Sequence, residues 1–394
     1  MKNFIPLSVP NLKGNEKKYV LDAINKEWVS TGGTYIKKFE EDIAKYLNVS
    51  DAVACQSGTA GIHLSLILSG VSNGDEVIVP TLTFIAAVNP VKYIGAEPIF
   101  MDCDDMLTMD ADKLERFCRE ECNLIEGKLI NSKSKKHIKA IVVVHVFGNI
   151  ANMEKIMNIA TKYNLKVIED ATEALGSMFI KGKYVGKYAG TIGDFGVYSF
   201  NGNKIITTGG GGMIVSNNKK LLSKARYLST QAKDDSLYYI HNEIGYNYRM
   251  TNLQAALGIA QLEQLDKFIK IKKENYELYK SKISNIESLY LMDFRKNVSP
   301  NYWFYSLLID NTKYKLKIDE LIVFLLERGI QTRPIWRLIQ NQKPYQKCEI
   351  YKVEKAKDYI NKVINIPCST NLEKKDIDIV VKCLNDGSNI IRKN

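Results

Sequence analysis

Short apolar runs alternate with amphipathic segments between residues 51 and 216 of the chain. The apolar runs include AVAC, EVIVP, PIFMD, AIVVV, LKVIED and GVYSF, and helix-like segments such as GIHLSLILSG and MEKIMNIATKYN lie between them. Continuous runs rich in β-branched residues are typical of parallel strands that are covered on both faces. The pattern predicts an α/β fold in which a mostly parallel sheet lies between helices.

The pattern changes near residue 252. The stretch NLQAALGIAQLEQLDKFIKIKKENYELYK repeats apolar residues at three- and four-residue spacing and predicts one long helix. Strand-like and helix-like segments then alternate to the end of the chain. We therefore expect a large domain over residues 1–252 and a smaller α+β domain over residues 253–394, joined by the long helix. The polar segment 123–136 is predicted to be an inserted surface loop.

Composition limits the protein class. The chain has 394 residues, 45% hydrophobic and 25% charged, which excludes disorder as the main state. No apolar run approaches the ~18 residues that span a membrane, and the N-terminus lacks a signal-peptide pattern. Seven cysteines and four histidines form no metal-ligand pattern. We expect a cytoplasmic protein with reduced thiols and no metal site.

The net charge of +11 permits a nucleic-acid binder or an enzyme with phosphorylated ligands. Most of the excess is lysine scattered along the chain, which is also what a solvated surface shows. No nucleic-acid-binding motif accompanies it. We therefore expect neither a nucleic-acid partner nor a membrane partner.

Three segments carry candidate chemistry. The first, QSGTAGIH, places Gly58, Thr59 and Ala60 between a strand and a helix, where backbone N–H groups can cradle a phosphate. An ordinary strand-to-helix turn can have the same composition. The second, KVIEDATEALGS, ends a buried strand at Asp170, at the edge where parallel sheets bind ligands. A buried Asp170 requires a cationic partner, although a helix N-cap is the simpler explanation.

The third segment, GVYSFNGNKIITTGGGG, places Lys204 after an apolar strand and before a run of glycines. Glycine lets backbone and ligand approach a side chain closely. A lysine in such a place is suited to form a Schiff base. The three segments together supply a phosphate cradle, a carboxylate and an amine, which are the groups that pyridoxal phosphate requires.

These segments also resemble the DegT/DnrJ/EryC1/StrS family of sugar aminotransferases, which are fold-type I pyridoxal-phosphate enzymes. The resemblance covers nearly the whole chain, from WVSTGG to IPCSTNL. Its most specific markers are SGTAGIH, VIEDATEALGS, the segment from GKYVGKY to GGGG, and GYNYRMTNLQAALGIAQL.

The resemblance implies a role for particular residues. Lys204 would form the aldimine with pyridoxal phosphate, and Asp170 would bind the protonated ring nitrogen. The remaining cofactor contacts implied are Gly58, Thr59 and Ala60 with Ser199 at the phosphate, Phe84 stacked on the ring, Glu173 near the cofactor, and Asn247 from a neighbouring subunit. The implied substrate contacts are Ser30, Thr31, His145, Arg249, Arg333 and Trp336. For His145, burial at a strand end against a loop carbonyl is an equal alternative. Many relatives carry a histidine where this chain has aromatic residues at 303–305.

A homodimer with shared active sites is also implied. Details such as DATEALGS and GIQTRPIWRLIQ are similar to the LegC branch of the family. That branch implies transfer of an amino group from glutamate to C4 of a nucleotide-linked 4-keto-6-deoxy-hexosamine, with a UDP-linked 2-acetamido sugar expected. The reaction would run as two ping-pong half-reactions with pyridoxamine phosphate between them.

Other functions compete with this one. Amination at C3, or a GDP- or dTDP-linked substrate, fits the same residues. A C3 dehydratase of the same family is disfavoured because it carries histidine in place of Lys204. A protein without transamination, binding only cofactor or nucleic acid, is disfavoured because Lys204 and Asp170 are both present.

Overall fold

The computed structural model describes residues 4–390 of the chain. Sixteen strands are found in this part of the chain. They are β1 (Ala52–Cys55), β2 (Glu76–Pro80), β3 (Glu97–Met101), β4 (Cys122–Ile125), β5 (Lys128–Asn131), β6 (His137–Val144), β7 (Lys166–Asp170), β8 (Met178–Phe179), β9 (Phe195–Ser199), β10 (Gly212–Val215), β11 (Leu289–Leu291), β12 (Val298–Ser299), β13 (Tyr305–Ile309), β14 (Arg333–Pro334), β15 (Glu349–Tyr351) and β16 (Val363–Ile366).

Twelve α-helices connect these strands within residues 4–390. They are α1 (Glu16–Asn25), α2 (Thr34–Leu47), α3 (Gly58–Leu68), α4 (Asn89–Tyr93), α5 (Ala111–Glu120), α6 (Met153–Tyr163), α7 (Lys219–Ser229), α8 (Asn252–Leu262), α9 (Leu265–Ile283), α10 (Ile318–Glu327), α11 (Lys355–Tyr359) and α12 (Lys374–Ser388). None of the helices in this part of the chain is long and apolar enough to cross a membrane.

The largest sheet has the order β1-β10-β9-β7-β6-β2-β3-β15. Strands β9, β7, β6, β2, β3 and β15 run parallel to one another, whereas β10 is antiparallel to both β9 and β1. The central strands are almost wholly buried, because helices cover both faces. This confirms the α/β fold with a mostly parallel sheet. The sheet brings the ends of β7 and β9 side by side.

The segment 123–136 is not a loop, and this prediction was wrong. It contains the hairpin of β4 and β5, and β5 pairs with the start of β6. The turn between the two strands uses Glu126 and Gly127, both with positive φ, which matches the twist of a two-residue hairpin. The Leu129 side chain is fully buried and anchors the hairpin. The polar composition of the segment concealed this short apolar alternation.

The single long helix predicted after residue 252 is also wrong, since the chain turns between α8 and α9. Helix α8 begins with a capping box in which Thr251 and Gln254 each bond the other's backbone N–H. It packs against α1 and α2, whereas α9 packs against α12 and β11. The two helices follow different packing surfaces, and the turn at residues 263–264 lets each one face its own partners.

Four strands of the C-terminal part form a second sheet in the order β11-β13-β16-β14. Strand β15 leaves this part and adds to the edge of the large sheet beside β3. The C-terminal part is therefore tied to the large sheet by backbone hydrogen bonds. The division into domains at residue 252 stays a prediction.

Candidate active site

A cavity of about 560 Å³ lies beside the ends of β7 and β9 and the start of α3. Its size is that of a pocket for a small organic ligand. The predicted site residues that line it are Gly58, Thr59, Phe84, Asp170, Glu173, Ser199, Lys204, Arg333 and Trp336. Residues from positions 58 to 336 thus meet in one place, because the end of a parallel sheet collects the loops that follow its strands.

The start of α3 forms one wall of the cavity. Ser57 caps the helix, and its Oγ accepts a hydrogen bond of 3.1 Å from the Ala60 N–H. A Cβ on Gly58 would lie 2.9 Å from Thr172 Cγ2 and 3.1 Å from Ser199 Cβ. The backbone at position 58 therefore lies so close to these side chains that only glycine fits there without a shift of its neighbours. A helix N-terminus of this kind favours an anion.

Asp170 ends β7 with a carboxylate that is 4% exposed. Its Oδ1 accepts a hydrogen bond of 3.1 Å from the Thr172 N–H. Burial raises the pKa of Asp170, and neither the Thr172 bonds nor the positive charge of Lys204 reverses that effect. No ion pair to Asp170 is found among residues 4–390, so this carboxylate is available to a protonated group of a ligand.

Lys204 follows β9, and its side chain is 13% exposed. The Nζ lies 3.7 Å from Glu173 Oε1 and 4.2 Å from the centre of the Trp303 ring. The indole N–H of Trp303 donates to the Asn203 carbonyl at 2.7 Å, next to Lys204 in the chain. The amine is therefore close to both a carboxylate and an aromatic ring, and it borders the same cavity as Asp170.

Glu173 is also buried, at 4% exposure. Its Oε2 accepts a hydrogen bond of 2.8 Å from the Phe147 N–H, which leaves Oε1 directed at Lys204. Burial raises the pKa of Glu173 to about 7, although the Lys204 charge and the Phe147 N–H oppose the rise. This carboxyl group changes its charge near neutral pH.

His145 lies behind the cavity and is not among the residues that line it. Its Nε2 is 2.8 Å from Glu169 Oε2, and its Nδ1 accepts a hydrogen bond of 3.2 Å from the Ala151 N–H. Glu169 also accepts bonds from three backbone N–H groups in residues 190–193. Both ring nitrogens of His145 are thus engaged, one with a carboxylate and the other with a backbone N–H, and not with the loop carbonyl of the structural alternative.

Aromatic side chains form another part of the cavity wall. Phe84 is 56% exposed at the cavity mouth, and Trp336 stacks on Phe147 with 4.7 Å between ring centres. Arg333 is exposed beside Trp336. Trp303 also lines the cavity and contacts Lys204, whereas in the sequence it stands out only as a departure from the family pattern. Nothing local in the sequence indicates that contact, which joins residues 99 positions apart in the chain.

Five predicted residues lie outside the cavity lining besides His145. They are Ser30, Thr31, Ala60, Asn247 and Arg249. Ser30 and Asn247 are exposed, and Asn247 belongs to a segment that bridges to Thr230. Arg249 Nη2 donates to Gln231 Oε1 at 3.3 Å, and its Nε is buried without a hydrogen-bond partner among the described residues.

The residues around the cavity fit pyridoxal phosphate. The tight turn at Gly58 suits a phosphate, and the buried Asp170 carboxylate suits a protonated ring nitrogen. The Lys204 amine stands in the same cavity, where the aldehyde carbon of that cofactor requires an amine. Fold and site together define a pyridoxal-phosphate enzyme.

Comparison with known proteins leads to the same class of enzyme. Residues 10–385 match the model of the DegT/DnrJ/EryC1/StrS aminotransferase family. The chain is 39% identical to a GDP-perosamine synthase of Escherichia coli O157:H7, over 97% of this chain and 98% of the relative. It is 31% identical to the UDP-4-amino-4,6-dideoxy-N-acetyl-β-L-altrosamine transaminase of Campylobacter jejuni, over 91% and 92%. The crystal structure of the aminotransferase TlmJ from Streptoalloteichus hindustanus superposes with a TM-score of 0.85 at 25% identity, covering 97% and 98%.

The chain belongs to the DegT/DnrJ/EryC1/StrS aminotransferase family. It is a pyridoxal-phosphate-dependent nucleotide-sugar aminotransferase with the fold-type I architecture. The family and cofactor expected from the sequence are confirmed. Membership of the LegC branch stays a prediction.

Proposed function

We propose that the chain transfers an amino group to C4 of a nucleotide-linked 4-keto-6-deoxy sugar, with Lys204 as its catalytic amine. The observation that carries this proposal is the meeting of Lys204 Nζ, the Asp170 carboxylate and the start of α3 around one cavity. Bound pyridoxal phosphate supplies a carbonyl carbon that accepts the amine and a ring that withdraws electrons from the reacting carbon. The residues of the chain bind the cofactor and the substrate and transfer the protons.

Each residue has a definite task in this proposal. Lys204 Nζ moves a proton to and from the carbon that carries the amino group. Asp170 holds the proton on the cofactor ring nitrogen, Gly58 and Ser199 hold the phosphate with Thr59 and Ala60, and Phe84 covers the ring. Glu173, whose Oε1 is 3.7 Å from Lys204 Nζ, positions that amine. Arg333 and Trp336, which line the same cavity, contact the substrate.

The relatives support a GDP-linked substrate as the first candidate, because the E. coli relative at 39% identity is a GDP-perosamine synthase. The UDP-linked 2-acetamido sugar expected from the sequence is the second candidate, supported by the C. jejuni relative that acts on a UDP-linked amino sugar. Glutamate is the proposed amino donor in the first of two half-reactions. Roles for Ser30, Thr31 and His145 in substrate binding, amination at C4 and not C3, and a cytoplasmic location stay predictions.

A panel of substrates tests the reaction. The pyridoxamine form of the enzyme is mixed with GDP-, UDP- and dTDP-linked 4-keto-6-deoxy sugars, and the return of the pyridoxal form is followed by absorbance. We expect the GDP-linked sugar to be converted fastest and NMR of the product to show the amine at C4. Substitution of Lys204 by alanine should abolish turnover. Turnover by that variant, or an amine at C3, would contradict the proposal.

A homodimer with shared sites is the proposed assembly. Leu237, Tyr238, Tyr239 and Ile244 are each more than 70% exposed, close in the chain to Asn247 and Arg249. Exposed apolar side chains in one segment are typical of an interface. A second copy that covers them would let Asn247 reach the partner's phosphate cradle.

Complementation tests the shared site. Inactive Lys204→Ala and Asn247→Ala variants are mixed after partial dissociation, and light scattering gives the mass of each preparation. We expect a dimeric mass and a mixed dimer that regains one intact site. A monomeric mass, or no recovery of activity in mixed dimers, would refute this arrangement.

A further inference from the structure

The indole of Trp303 bonds the turn that carries Lys204. Its ring N–H donates a hydrogen bond of 2.7 Å to the carbonyl oxygen of Asn203, and the centre of its ring is 4.2 Å from Lys204 Nζ. That carbonyl belongs to the peptide bond whose nitrogen is the backbone nitrogen of Lys204. A side chain from the C-terminal part of the chain therefore contacts both the backbone and the amine of this lysine.

The turn itself, residues 201–204, makes few other hydrogen bonds. The Lys204 N–H donates to the Asn201 carbonyl at 3.0 Å, and the Asn201 N–H donates to Ser199 Oγ at 3.4 Å. Two of its four residues are exposed. Within residues 4–390, the Trp303 indole is the one group from a distant segment that bonds the backbone of this turn. The position of the turn therefore depends on that bond.

The backbone of Trp303 is anchored on both sides. Asn301 Oδ1 accepts from the Trp303 backbone N–H at 2.9 Å, and Asn301 Nδ2 donates to the carbonyl oxygens of Glu173 and Leu175 at 2.9 Å each. The buried Lys272 of α9 donates to the Trp303 carbonyl at 3.0 Å. The residue that bonds the turn is thus fixed to the large sheet through Asn301 and to α9 through Lys272.

Ring packing restricts the indole as well. Trp303 is 2% exposed, and its ring stacks on Phe304 with 4.0 Å between centres and 7° between planes. Phe147 lies against it with 6.1 Å between ring centres. A side chain that packing already holds in one rotamer loses little further entropy when it makes a hydrogen bond. The bond to Asn203 is therefore well suited to hold the turn in place.

We infer that Trp303 is a positioning residue for the cofactor lysine, and that its indole N–H holds the turn so that Lys204 Nζ stays in the cavity where pyridoxal phosphate binds. In the attachment step the Lys204 nitrogen forms a double bond to the aldehyde carbon, and the aldehyde oxygen leaves as water. An amine held in place reacts as though it were at high concentration. Loss of the indole bond therefore weakens the covalent part of cofactor binding. The inference rests on the proposed role of Lys204 as the reacting amine.

A double-mutant cycle between Trp303 and Lys204 tests this inference. Trp303→Phe keeps an aromatic ring and removes the N–H donor. Lys204→Ala removes the amine, so that pyridoxal phosphate binds that variant without a covalent bond at position 204. The affinity of the cofactor-free, full-length chain for pyridoxal phosphate is measured by equilibrium dialysis in all four proteins, in a buffer without primary amines or phosphate.

We expect Trp303→Phe to weaken pyridoxal phosphate binding by about fivefold when Lys204 is present, because the turn loses its bond to the C-terminal part. In the Lys204→Ala background the same change should weaken binding by less than about twofold. A residue that merely stabilises the cavity would weaken binding equally in both backgrounds. Equal effects in the two backgrounds, or no effect in either, would overturn the inference.

Reduction with borohydride measures the covalent attachment itself. The reagent converts the carbon–nitrogen double bond into a stable single bond, and mass spectrometry gives the fraction of the Lys204 peptide that carries the cofactor. At a cofactor concentration equal to the dissociation constant of the natural chain, this fraction should be about threefold lower in Trp303→Phe. A fraction equal to that of the natural chain would contradict the inference.

Tyr305 offers a matched control in the same part of the chain. It is fully buried, and its hydroxyl donates to the Lys272 carbonyl at 2.6 Å. Tyr305→Phe therefore also removes an aromatic donor to a backbone carbonyl, but it leaves the bond to Asn203 intact. Its effect on pyridoxal phosphate affinity should be the same with Lys204 and in the Lys204→Ala background. A background dependence as large as that of Trp303→Phe would overturn the inference.

Benzothienylalanine, incorporated at position 303, separates the hydrogen bond from ring packing. This residue has the shape of tryptophan, with sulfur in place of the ring N–H. It should reproduce the loss of cofactor affinity even if the smaller ring of Trp303→Phe disturbs the fold, and an affinity equal to that of the natural chain would overturn the inference. None of these measurements needs a sugar substrate. Turnover by Lys204→Ala would contradict the proposed function, whereas the four affinities test only the positioning role of Trp303.

Discussion

Asp102, which follows β3, joins the C-terminal part of the chain to the large sheet. Its carboxylate is fully buried. Oδ1 accepts from the backbone N–H groups of Cys103 and Ala356 at 2.9 Å each. Oδ2 accepts from the backbone N–H groups of Glu354 and Lys355 at 2.9 and 3.0 Å. It also accepts a bond of 2.7 Å from the Nζ of Lys113 in α5. Five donors thus depend on one side chain.

The substitution Asp102→Asn keeps the shape and replaces one acceptor oxygen with a donor. The amide orientation that breaks fewer hydrogen bonds puts the nitrogen at the Oδ1 position. The backbone N–H groups of Cys103 and Ala356 then lose their acceptor. Each buried unsatisfied donor costs about 1–3 kcal/mol. We therefore expect the free energy of unfolding to fall by about 2–6 kcal/mol.

Urea denaturation of both proteins, followed by circular dichroism, measures this change. Asp105→Asn is the control, because Asp105 pairs with Lys355 while its side chain is 73% exposed. That variant should lose less than about 1 kcal/mol. A loss below 1 kcal/mol in Asp102→Asn would refute the reasoning, since the five bonds would then contribute nothing beyond those of an exposed pair.

The same site predicts a pH dependence. Burial acts to raise the pKa of Asp102, but Lys113 and the three N–H groups of residues 354–356 outweigh it and the pKa is lowered. A carboxyl group with a lowered pKa stabilises the fold above its unfolded value of about 4, and this stabilisation is lost as the pH falls through the folded value. In Asp102→Asn this group cannot titrate, so the free energy of unfolding of the variant should fall less between neutral and acid pH than that of the natural chain.

Two further predictions concern the cofactor site and the thiols. Gly58→Ala places a Cβ 2.9 Å from Thr172 Cγ2 and should weaken pyridoxal phosphate binding by about tenfold or more in fluorescence titrations, whereas Gly202→Ala, with open space around it, should not; equal affinities would contradict the tight cradle. In the native protein at pH 8, iodoacetamide should modify the half-buried Cys348 first, because Cys55 is buried and its pKa is raised to about 12; mass spectrometry that finds Cys55 modified first would contradict this.

Much of the fold could be predicted because its signals are local. The apolar runs that became β6 and β7 differ from their surroundings within a few residues, and this difference survives in any tertiary context. The hairpin of β4 and β5 could not be predicted in the same way. Its strands are four residues each, and only the burial of Leu129 against the sheet separates them from a polar loop.

The site shows the same division. Asp170 and Lys204 could be proposed from the sequence because the turns that carry them have a distinctive composition. The position of His145 could not be, since its burial depends on Glu169, which is 24 residues away in the chain. The local sequence around a histidine at a strand end does not show whether its side chain faces a cavity or the core.

The sequence by itself determined the class of fold and the cofactor and indicated Lys204 as the candidate amine, because periodicity and motif composition are properties of short segments. Only the tertiary structure decided which groups surround the Lys204 amine. Glu173 and Trp303 both lie close to it, Asn301 bonds the backbone of each, and Lys272 bonds the Trp303 carbonyl. These contacts join distant parts of the chain, and packing alone decides whether such parts meet.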